Sequence, residues 1–381
     1  MAFDFIQQKL HAQQQNACFR QRICLEQQAG RELVVAGKRY LNFSANDYLG
    51  LNHHPAIAKA MQDGVDRFGI CSTGSSLLTG YHYAHQVLEE TICEWLNKPH
   101  CLLFSSGFAA NSGLLQALGS NHSYFWLDKL SHASMIDGAL ASNAKVKRFA
   151  HNNIEQLNQL MTRMPDKSNT SQLIFSEGVF SMDGDQAKVA QLRQIATQHH
   201  AWLAIDDAHA IGVIGDRGQG SVSIAAIDII MATFGKALAT SGAFIACDAP
   251  LHDYLVNFCR DYIYSTAISP ALAWATNCAI QLAQNDTWRR EKITELTDQL
   301  IKAVASPIKI IPSNSSIQAI IIGDAAQALL VGEQLKQRGI WLSAIRPPTV
   351  PIGQSRLRVT ICANHNNKDI SYLAKCLNEI L

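Results

Sequence analysis

The sequence reads Ile229-Ile230-Met231-Ala232-Thr233-Phe234-Gly235-Lys236 at residues 229–236, an apolar, partly β-branched run that ends in a lysine. Such a run predicts a buried strand, here over residues 227–233. An ammonium group does not stay in an apolar core, so we expect the Lys236 amine to point into a cleft and to do chemistry there.

A second apolar strand is predicted at residues 202–205, and it is followed by Asp206, Asp207 and His209. In an open α/β sheet the binding crevice lies outside the carboxyl ends of the strands. Asp206, His209 and Lys236 are therefore expected at one edge of the sheet. Because Asp206 and Asp207 are adjacent on an extended segment, at most one of them can face the same ligand. An amine, a carboxylate and a hydrogen-bonding imidazole suit pyridoxal phosphate, which needs a Schiff-base partner, a partner for the ring nitrogen and one for the ring oxygen.

Helical patterns alternate with short apolar strands between about residues 55 and 280. This alternation predicts an α/β fold with a mostly parallel central sheet and helices on both faces. Near residue 283 the pattern changes to a long helix at about 286–305, followed by strands predicted at 308–311, 317–322, 340–345 and 357–361. We expect an N-terminal arm at residues 1–50, a large cofactor-binding domain at 51–283 and a small α+β C-terminal domain at 284–381.

The composition favours a small-molecule partner. The 381 residues include 32 basic and 31 acidic side chains, so no charge excess points to nucleic acid or to an anionic membrane. The ten cysteines have no metal-ligand spacing, so we expect reduced thiols and no metal site. An export signal and an apolar stretch of about 20 residues are both missing, which predicts a cytoplasmic protein without a membrane segment.

Three further segments supply candidate binding groups. Residues 103–111 read as a strand, a small polar turn and a helix that begins near Gly107 and Phe108, and a helix N-terminus binds phosphate readily. The same pattern is also typical of an ordinary turn capped by serine. His132 lies in the loop at 130–134 and could lie flat on a ring, although a loop histidine is more often only solvated. Ser181 offers a hydroxyl in a turn that follows the strand predicted at 173–175.

Taken together, these segments resemble the α-oxoamine synthases, pyridoxal-phosphate enzymes of the aspartate-aminotransferase fold (fold type I), over nearly the whole chain. The motifs that carry the resemblance lie at residues 42–50, 105–108, 131–134, 177–184, 206–209, 233–236 and 346–351. The last of these, Arg346-Pro347-Pro348-Thr349-Val350-Pro351, is the most specific for the substrate class.

The resemblance implies a role for each matched position. It implies that Lys236, Asp206, His209 and His132 are the catalytic residues, with Lys236 as the Schiff-base lysine and His132 stacked on the ring beside the substrate. The implied cofactor contacts are Gly107, Phe108, Ser181, Asp206, His209, Thr233, Lys236, Ser265 and Thr266. The implied substrate contacts are Arg20, Asn46, His132, Arg346 and Thr349.

The resemblance also implies partners. The family member that the chain most resembles condenses L-alanine with a pimeloyl thioester of coenzyme A or of acyl carrier protein, in biotin biosynthesis. Family members are homodimers, and Ser265 and Thr266 would reach the phosphate in the partner subunit. Two segments rich in glycine in the family read differently here, at 71–80 and 236–242, and Ala210-Ile211 replaces the usual Gly-Thr.

Three alternatives remain open from the sequence. One is a sibling synthase of the 2-amino-3-ketobutyrate ligase type, which joins glycine to acetyl-CoA. A second is a nucleotide-binding protein, because residues 211–220 are glycine-rich and Gly235-Lys236 resembles a phosphate loop. However, residues 211–220 lack the Gly-x-Gly-x-x-Gly spacing, and Ala237 stands where Ser or Thr would hold magnesium in a phosphate loop. The third is a scaffold that binds the cofactor without turnover, which the retained lysine argues against.

Overall fold

The computed structural model describes residues 2–164 and 169–381. Its contacts divide the chain into two compact units. The first unit comprises Met1–Gly50, Met182–Asp185 and Glu291–Leu381, and the second comprises Leu51–Ser181 and Gln186–Arg290. The three-part division expected from the sequence stays a prediction.

The strands are short, as is usual for a sheet that alternates with helices. They are β1 (Gln27–Ala29), β2 (Glu32–Val35), β3 (Lys38–Asn42), β4 (His100–Phe104), β5 (Ser123–Asp128), β6 (Lys145–Phe149), β7 (Ser171–Glu177), β8 (Trp202–Asp206), β9 (Ile229–Thr233), β10 (Ala243–Cys247), β11 (Ile317–Gly323), β12 (Ile340–Trp341), β13 (Ala344–Ile345) and β14 (Ser355–Thr360).

Helices precede and follow most of these strands. They are α1 (Phe5–Gln15), α2 (Pro55–Phe68), α3 (Tyr83–Leu96), α4 (Gly107–Leu118), α5 (Ala133–Ala141), α6 (Ile154–Thr162), α7 (Val189–Gln198), α8 (Ala249–Phe258), α9 (Arg260–Ile263), α10 (Pro270–Asn285), α11 (Thr287–Ala303), α12 (Ala325–Gln337) and α13 (Asn367–Ile380).

The second unit is built on one large sheet. In the described part of the chain its seven strands follow the order β4-β10-β9-β8-β7-β5-β6. Strands β9, β8, β7, β5 and β6 are parallel to one another, and β10 is antiparallel to both β4 and β9. Six strands therefore run in one direction, which confirms the predicted mostly parallel sheet.

Burial of the sheet explains its apolar sequences. Every residue of β10 is buried, as expected for a strand that is covered on both faces. On α3, the apolar stripe of Leu88, Ile92, Trp95 and Leu96 is buried. Helix α4 contributes Leu114 and Leu115 to the core that also contains strand residues such as Phe104, and this packing holds the start of α4 beside the ends of the strands.

The first unit has its own core. One sheet has the order β1-β2-β3-β12 and another has the order β11-β14-β13. Phe43 of the N-terminal segment lies fully buried in a cluster with Leu296, Ile320, Leu357 and Leu373. The N-terminal segment therefore packs against residues from the C-terminal part of the sequence.

Two strand predictions need correction, and one strand of the structure was not predicted. Residues 308–311 form no strand in the described chain, and Ile310 makes only an isolated bridge to Ile320. The predicted strand at 340–345 is interrupted, because β12 pairs with β3 whereas β13 pairs with β14. Strand β6 was not predicted, since three of its five residues are charged and its burial is confined to Phe149 and partly to Val146.

Candidate active site

The six strands of the second unit that run in one direction end at the same edge of the sheet. Strand β4 ends at Phe104, β5 at Asp128, β7 at Glu177, β8 at Asp206 and β9 at Thr233. The edge is tied together by the backbone, because the Gly178 N–H donates to the Asp206 carbonyl over 2.9 Å. Polar side chains thus follow apolar strands at this edge, where an open sheet of this kind binds its ligands.

Asp206 is held by hydrogen bonds on both of its oxygens. It is 5 % exposed. Asn111 on α4 donates from Nδ2 to Oδ2 over 2.8 Å, and the Ala208 N–H donates to Oδ1 over 2.9 Å. The Asp206 carboxyl group therefore has a fixed orientation. A carboxylate held in this way can pair with the cationic nitrogen of a bound ligand.

Asp207 faces a different set of groups. Its carboxyl accepts from the Ser221 hydroxyl over 2.5 Å and from the Ser221 N–H over 2.7 Å. Burial raises the pKa of Asp207 to about 7, and the hydrogen bonds from Ser221 oppose this rise. The adjacent Asp206 and Asp207 thus have separate partners, and Asp207 anchors the segment around Ser221.

A hydrogen-bonded chain connects His132 to Asp206. The Ser134 N–H donates to Nδ1 of His132 over 3.2 Å, and the Ser134 Oγ lies 2.8 Å from the same nitrogen. Asn111 Nδ2 also donates to Ser134 Oγ over 3.0 Å. Nδ1 of His132 is therefore an acceptor for the Ser134 backbone, and the exposed ring is oriented by buried neighbours.

Glu177 is a second buried carboxyl at the same edge. It is 3 % exposed and pairs in register with Asp206 on the neighbouring strand. Burial raises the pKa of the Glu177 carboxyl well above its usual range, and the charge of Asp206 raises it further. Lys236 and the backbone N–H groups of His132 and Ser181 lower the pKa, but burial is the largest effect.

The first turn of α4 meets the end of β9. Ser106 caps the helix by accepting from the Ala109 N–H over 3.1 Å. A Cβ added to Gly107 would lie 2.5 Å from Cγ2 of Thr233, so only glycine leaves room there. The Thr233 hydroxyl is buried and has no hydrogen-bond partner among the described residues. A helix N-terminus next to an unpaired hydroxyl fits a phosphate group.

Lys236 and His209 follow the strand ends at equal distances along the chain. Each lies three residues after its strand, Lys236 after β9 and His209 after β8. Lys236 is half-buried and its carbonyl accepts from the Ala239 N–H over 3.0 Å, whereas His209 is buried. The electrostatic effect on Glu177 places Lys236 near the group formed by Glu177 and Asp206.

The remaining cofactor positions differ in exposure. Phe108 is exposed, Ser181 and Ser265 are half-buried, and Thr266 is exposed. Thr266 forms an isolated antiparallel bridge with Ser75, so the 265–266 segment is anchored to the 71–80 segment in which the family's glycines are replaced.

The substrate positions form contacts within the first unit. Arg20 donates to the Thr349 hydroxyl over 2.8 Å, and Arg346 donates to the Ala17 carbonyl. Asn46 accepts from Arg358 over 3.1 Å and from the Tyr48 hydroxyl over 3.2 Å. The structure thus joins Arg20 to Thr349, and it shows Arg358 as a buried cation that the sequence did not single out.

The residues present fit pyridoxal phosphate. A fixed buried carboxylate suits the ring nitrogen, and the Thr233 hydroxyl beside α4 suits the phosphate. Buried atoms of Asn111, Ser131 and Glu177 also have no hydrogen-bond partner among the described residues. The sequence missed Asn111 as a functional residue, because a buried asparagine within a helix has no distinguishing pattern.

Comparisons with known proteins agree with this geometry. The family model described as aminotransferase class I and II matches residues 38–377, and the chain belongs to this family. Curated relatives named 8-amino-7-oxononanoate synthase include one from Photobacterium profundum, which is 44% identical over 379 residues (99% of this chain and 96% of the relative). Another, from Salmonella typhimurium, is 44% identical over 364 residues (94% of each chain).

Solved structures show the same fold. A serine palmitoyltransferase from S. paucimobilis with bound PLP has a TM-score of 0.93 and 27% identity, covering 100% of this chain and 97% of that one. An 8-amino-7-oxononanoate synthase from Francisella tularensis has a TM-score of 0.76 and 28% identity, covering 89% of this chain and 97% of that one.

These comparisons confirm several expectations. The fold class, the resemblance to the α-oxoamine synthases, the enzyme class and the pyridoxal phosphate cofactor are confirmed by the family, the curated relatives and the PLP-bound structures. The roles of individual site residues and the cytoplasmic location stay predictions. No helix in the described part of the chain is long and apolar enough to cross a membrane.

Proposed function

We propose that the chain catalyses the decarboxylative condensation of L-alanine with a pimeloyl thioester, giving 8-amino-7-oxononanoate, carbon dioxide and a free thiol in biotin biosynthesis. The observation that carries this proposal is the identity of 44% over 99% of the chain to a curated 8-amino-7-oxononanoate synthase. The buried Asp206 beside Asn111, at the edge that also contains Glu177 and Thr233, independently supports the pyridoxal phosphate chemistry that this reaction needs.

The cofactor contacts follow from the site. When bound, pyridoxal phosphate supplies an electron-withdrawing ring that stabilises negative charge at the α-carbon of the amino acid. Asp206 would keep the ring nitrogen protonated, because Asn111 and the Ala208 N–H fix its carboxyl group. The Thr233 hydroxyl and the N-terminus of α4 would hold the phosphate. Lys236 Nζ would tether the cofactor and then take the α-proton of alanine.

The other matched positions complete this assignment. His132 would stack on the ring, with Ser134 setting the orientation of its imidazole. His209 would contact the ring oxygen, and Gly107, Phe108 and Ser181 would contact the cofactor. Arg20, Asn46, Arg346 and Thr349 would bind the substrate.

We also propose that the protein forms a homodimer. Leu78 is 82% exposed and Tyr264 is 71% exposed, and both lie within three residues of the bridge between Ser75 and Thr266. Large apolar side chains exposed close together are typical of a surface that another protein covers. A second copy covering this surface would bring Ser265 and Thr266 to the phosphate of its partner's cofactor.

The substrate assignment is tested by a matched set of assays. Purified holoenzyme is titrated with L-alanine and with glycine while the cofactor absorbance is followed, and turnover is then measured with pimeloyl-CoA, pimeloyl-acyl carrier protein and acetyl-CoA. We expect turnover with alanine and a pimeloyl donor. Turnover confined to glycine and acetyl-CoA would instead establish the ligase-type synthase. The two pimeloyl donors distinguish the two carriers.

A further inference from the structure

Glu177 is a buried ionisable group that the proposed chemistry does not use. It ends β7 and pairs in register with Asp206, which ends β8. Its Oε1 atom has no hydrogen-bond partner among the described residues. An unpaired buried oxygen is costly, so such an atom in a binding site indicates a missing ligand.

The two neighbouring carboxyls have different surroundings. Asp206 accepts hydrogen bonds from the side chain of Asn111 and from a backbone N–H. On Glu177 the Oε1 atom has no hydrogen-bond partner among the described residues, the backbone N–H groups of His132 and Ser181 lie near the carboxyl, and the nearby charged groups are Asp206 and Lys236. Two adjacent buried carboxyls do not readily ionise together, and the one that has an oxygen without a donor is the better place for the shared proton. Burial and the Asp206 charge raise the pKa of Glu177, in agreement with this geometry.

We propose that Glu177 is a further substrate-binding residue of this site, a neutral carboxylic acid that donates a hydrogen bond to an oxygen of the bound substrate. The acceptor is a carboxylate or carbonyl oxygen, which both the amino acid and the acyl thioester contain. No bond to carbon is made or broken by Glu177 in this role. The inference rests on the proposed function of the site.

The position of Glu177 restricts the acceptor to the reacting end of the substrates. Its carboxyl lies near Lys236 and near the backbone N–H groups of His132 and Ser181. These three residues are all assigned to the cofactor and to the amino acid bound on it. The hydrogen bond would therefore be made beside the reacting carbon, where an oxygen gains negative charge during the condensation.

The first test uses the apoenzyme and needs no turnover. Infrared difference spectra between the wild type and Glu177→Gln are recorded at neutral pH. We expect the signal of a protonated carboxylic acid to be present in the wild type and lost in the variant. A difference spectrum that contains only the signal of an ionised carboxylate would overturn the proposal.

The second test separates hydrogen bonding from charge. Glu177→Gln keeps a neutral donor, whereas Glu177→Ala removes it, and the exposed Glu295→Gln is the control. We expect kcat/KM to be lower in Glu177→Ala than in Glu177→Gln by roughly 10- to 100-fold, the ratio for one hydrogen bond to a charged oxygen. A change in KM for alanine identifies the amino acid as the acceptor, and a change in KM for the thioester identifies the acyl group.

Two results would contradict the role of Glu177. If Glu177→Gln and Glu177→Ala both kept the wild-type activity, Glu177 would donate no hydrogen bond to the substrate. If both variants lost activity to the same severe extent, the ionised form of Glu177 would be needed. If Glu177→Ala does not fold, the infrared measurement and the ratio of wild type to Glu177→Gln, expected within about tenfold, decide the question. Absence of turnover in the wild type with every substrate pair would refute the proposed function instead, and the apoenzyme spectrum would still report on Glu177.

Discussion

Asn111 on α4 donates a hydrogen bond to Asp206 at the end of β8 over 2.8 Å, and both side chains are buried. The same amide donates to Ser134, which contacts the ring nitrogen of His132. One amide therefore orients the residues assigned to the edge and to the face of the cofactor ring. Its loss should affect both.

Replacing Asn111 by alanine should weaken cofactor binding. The change leaves a buried Asp206 oxygen without its side-chain donor, which costs about 1–3 kcal/mol, or roughly 5- to 150-fold in affinity. The dissociation constant of pyridoxal phosphate is measured by titrating the apoenzyme. The exposed Asn285→Ala should bind as the wild type does. Unchanged affinity in Asn111→Ala would show that this hydrogen bond does not support the cofactor.

Replacing Gly107 by alanine should also weaken cofactor binding, for a steric reason. The added Cβ would lie 2.5 Å from Thr233 Cγ2, so β9 or the first turn of α4 must shift. We expect at least about a tenfold loss of affinity for pyridoxal phosphate, since displacement of the first turn of α4 or of Thr233 removes one or more hydrogen bonds to the phosphate. Gly332→Ala on α12 is the control, because its nearest described neighbour would be 3.5 Å away. Wild-type affinity in Gly107→Ala would contradict the phosphate assignment.

Stability should fall as the pH rises from about 4 to 7 because of Asp207. Burial raises the pKa of this carboxyl from 3.8 to about 7 in the folded protein. Across this range the folded chain holds a proton that the unfolded chain has lost, so the contribution is complete below pH 3.8 and is lost as the pH approaches about 7. The total is on the order of 4 kcal/mol.

The measurement is the free energy of unfolding of the apoenzyme by urea at several pH values. Asp207→Asn cannot ionise and should show a shallower decline than the wild type. The exposed Asp298→Asn should retain the wild-type slope. Parallel slopes for the wild type and Asp207→Asn would show that Asp207 does not titrate in this range.

Hybrid dimers test whether Ser265 and Thr266 act across the subunit interface. One chain has Lys236→Ala and the other has Ser265→Ala with Thr266→Ala. If the 265–266 segment serves the partner's site, one of the two sites combines both defects and the other is intact. The hybrid should then have about half of the wild-type activity, whereas each variant homodimer is impaired. Hybrid activity at half that of the Ser265→Ala, Thr266→Ala homodimer would mean that the segment serves its own subunit.

Most of the sheet could be predicted because its strands are apolar and bounded by polar turns. Strand β6 could not be predicted because it is an exposed edge strand in which most residues are charged, so it lacks the apolar pattern of the other strands. The sequence of residues 340–345 is typical of one strand, but its two halves pair in different sheets. The choice of pairing partner depends on tertiary packing and is not visible in the local sequence.

The site was only partly predictable for a similar reason. Asp206, His209 and Lys236 follow strands, so their position in the sequence indicates their place at the sheet edge. Asn111 and the hydrogen-bonding role of Ser134 depend on how α4 and α5 pack beside that edge. Glu177 begins the motif at residues 177–184, but only the register of β7 with β8 shows that it lies beside Asp206.

Lys236 is proposed to carry the cofactor, and borohydride reduction of the holoenzyme tests this assignment most directly. The reduced protein is digested and the pyridoxyl group is located by mass spectrometry. We expect the group on Lys236 and its loss in Lys236→Ala. A pyridoxyl group on a different lysine, or on none, would contradict the assignment of Lys236.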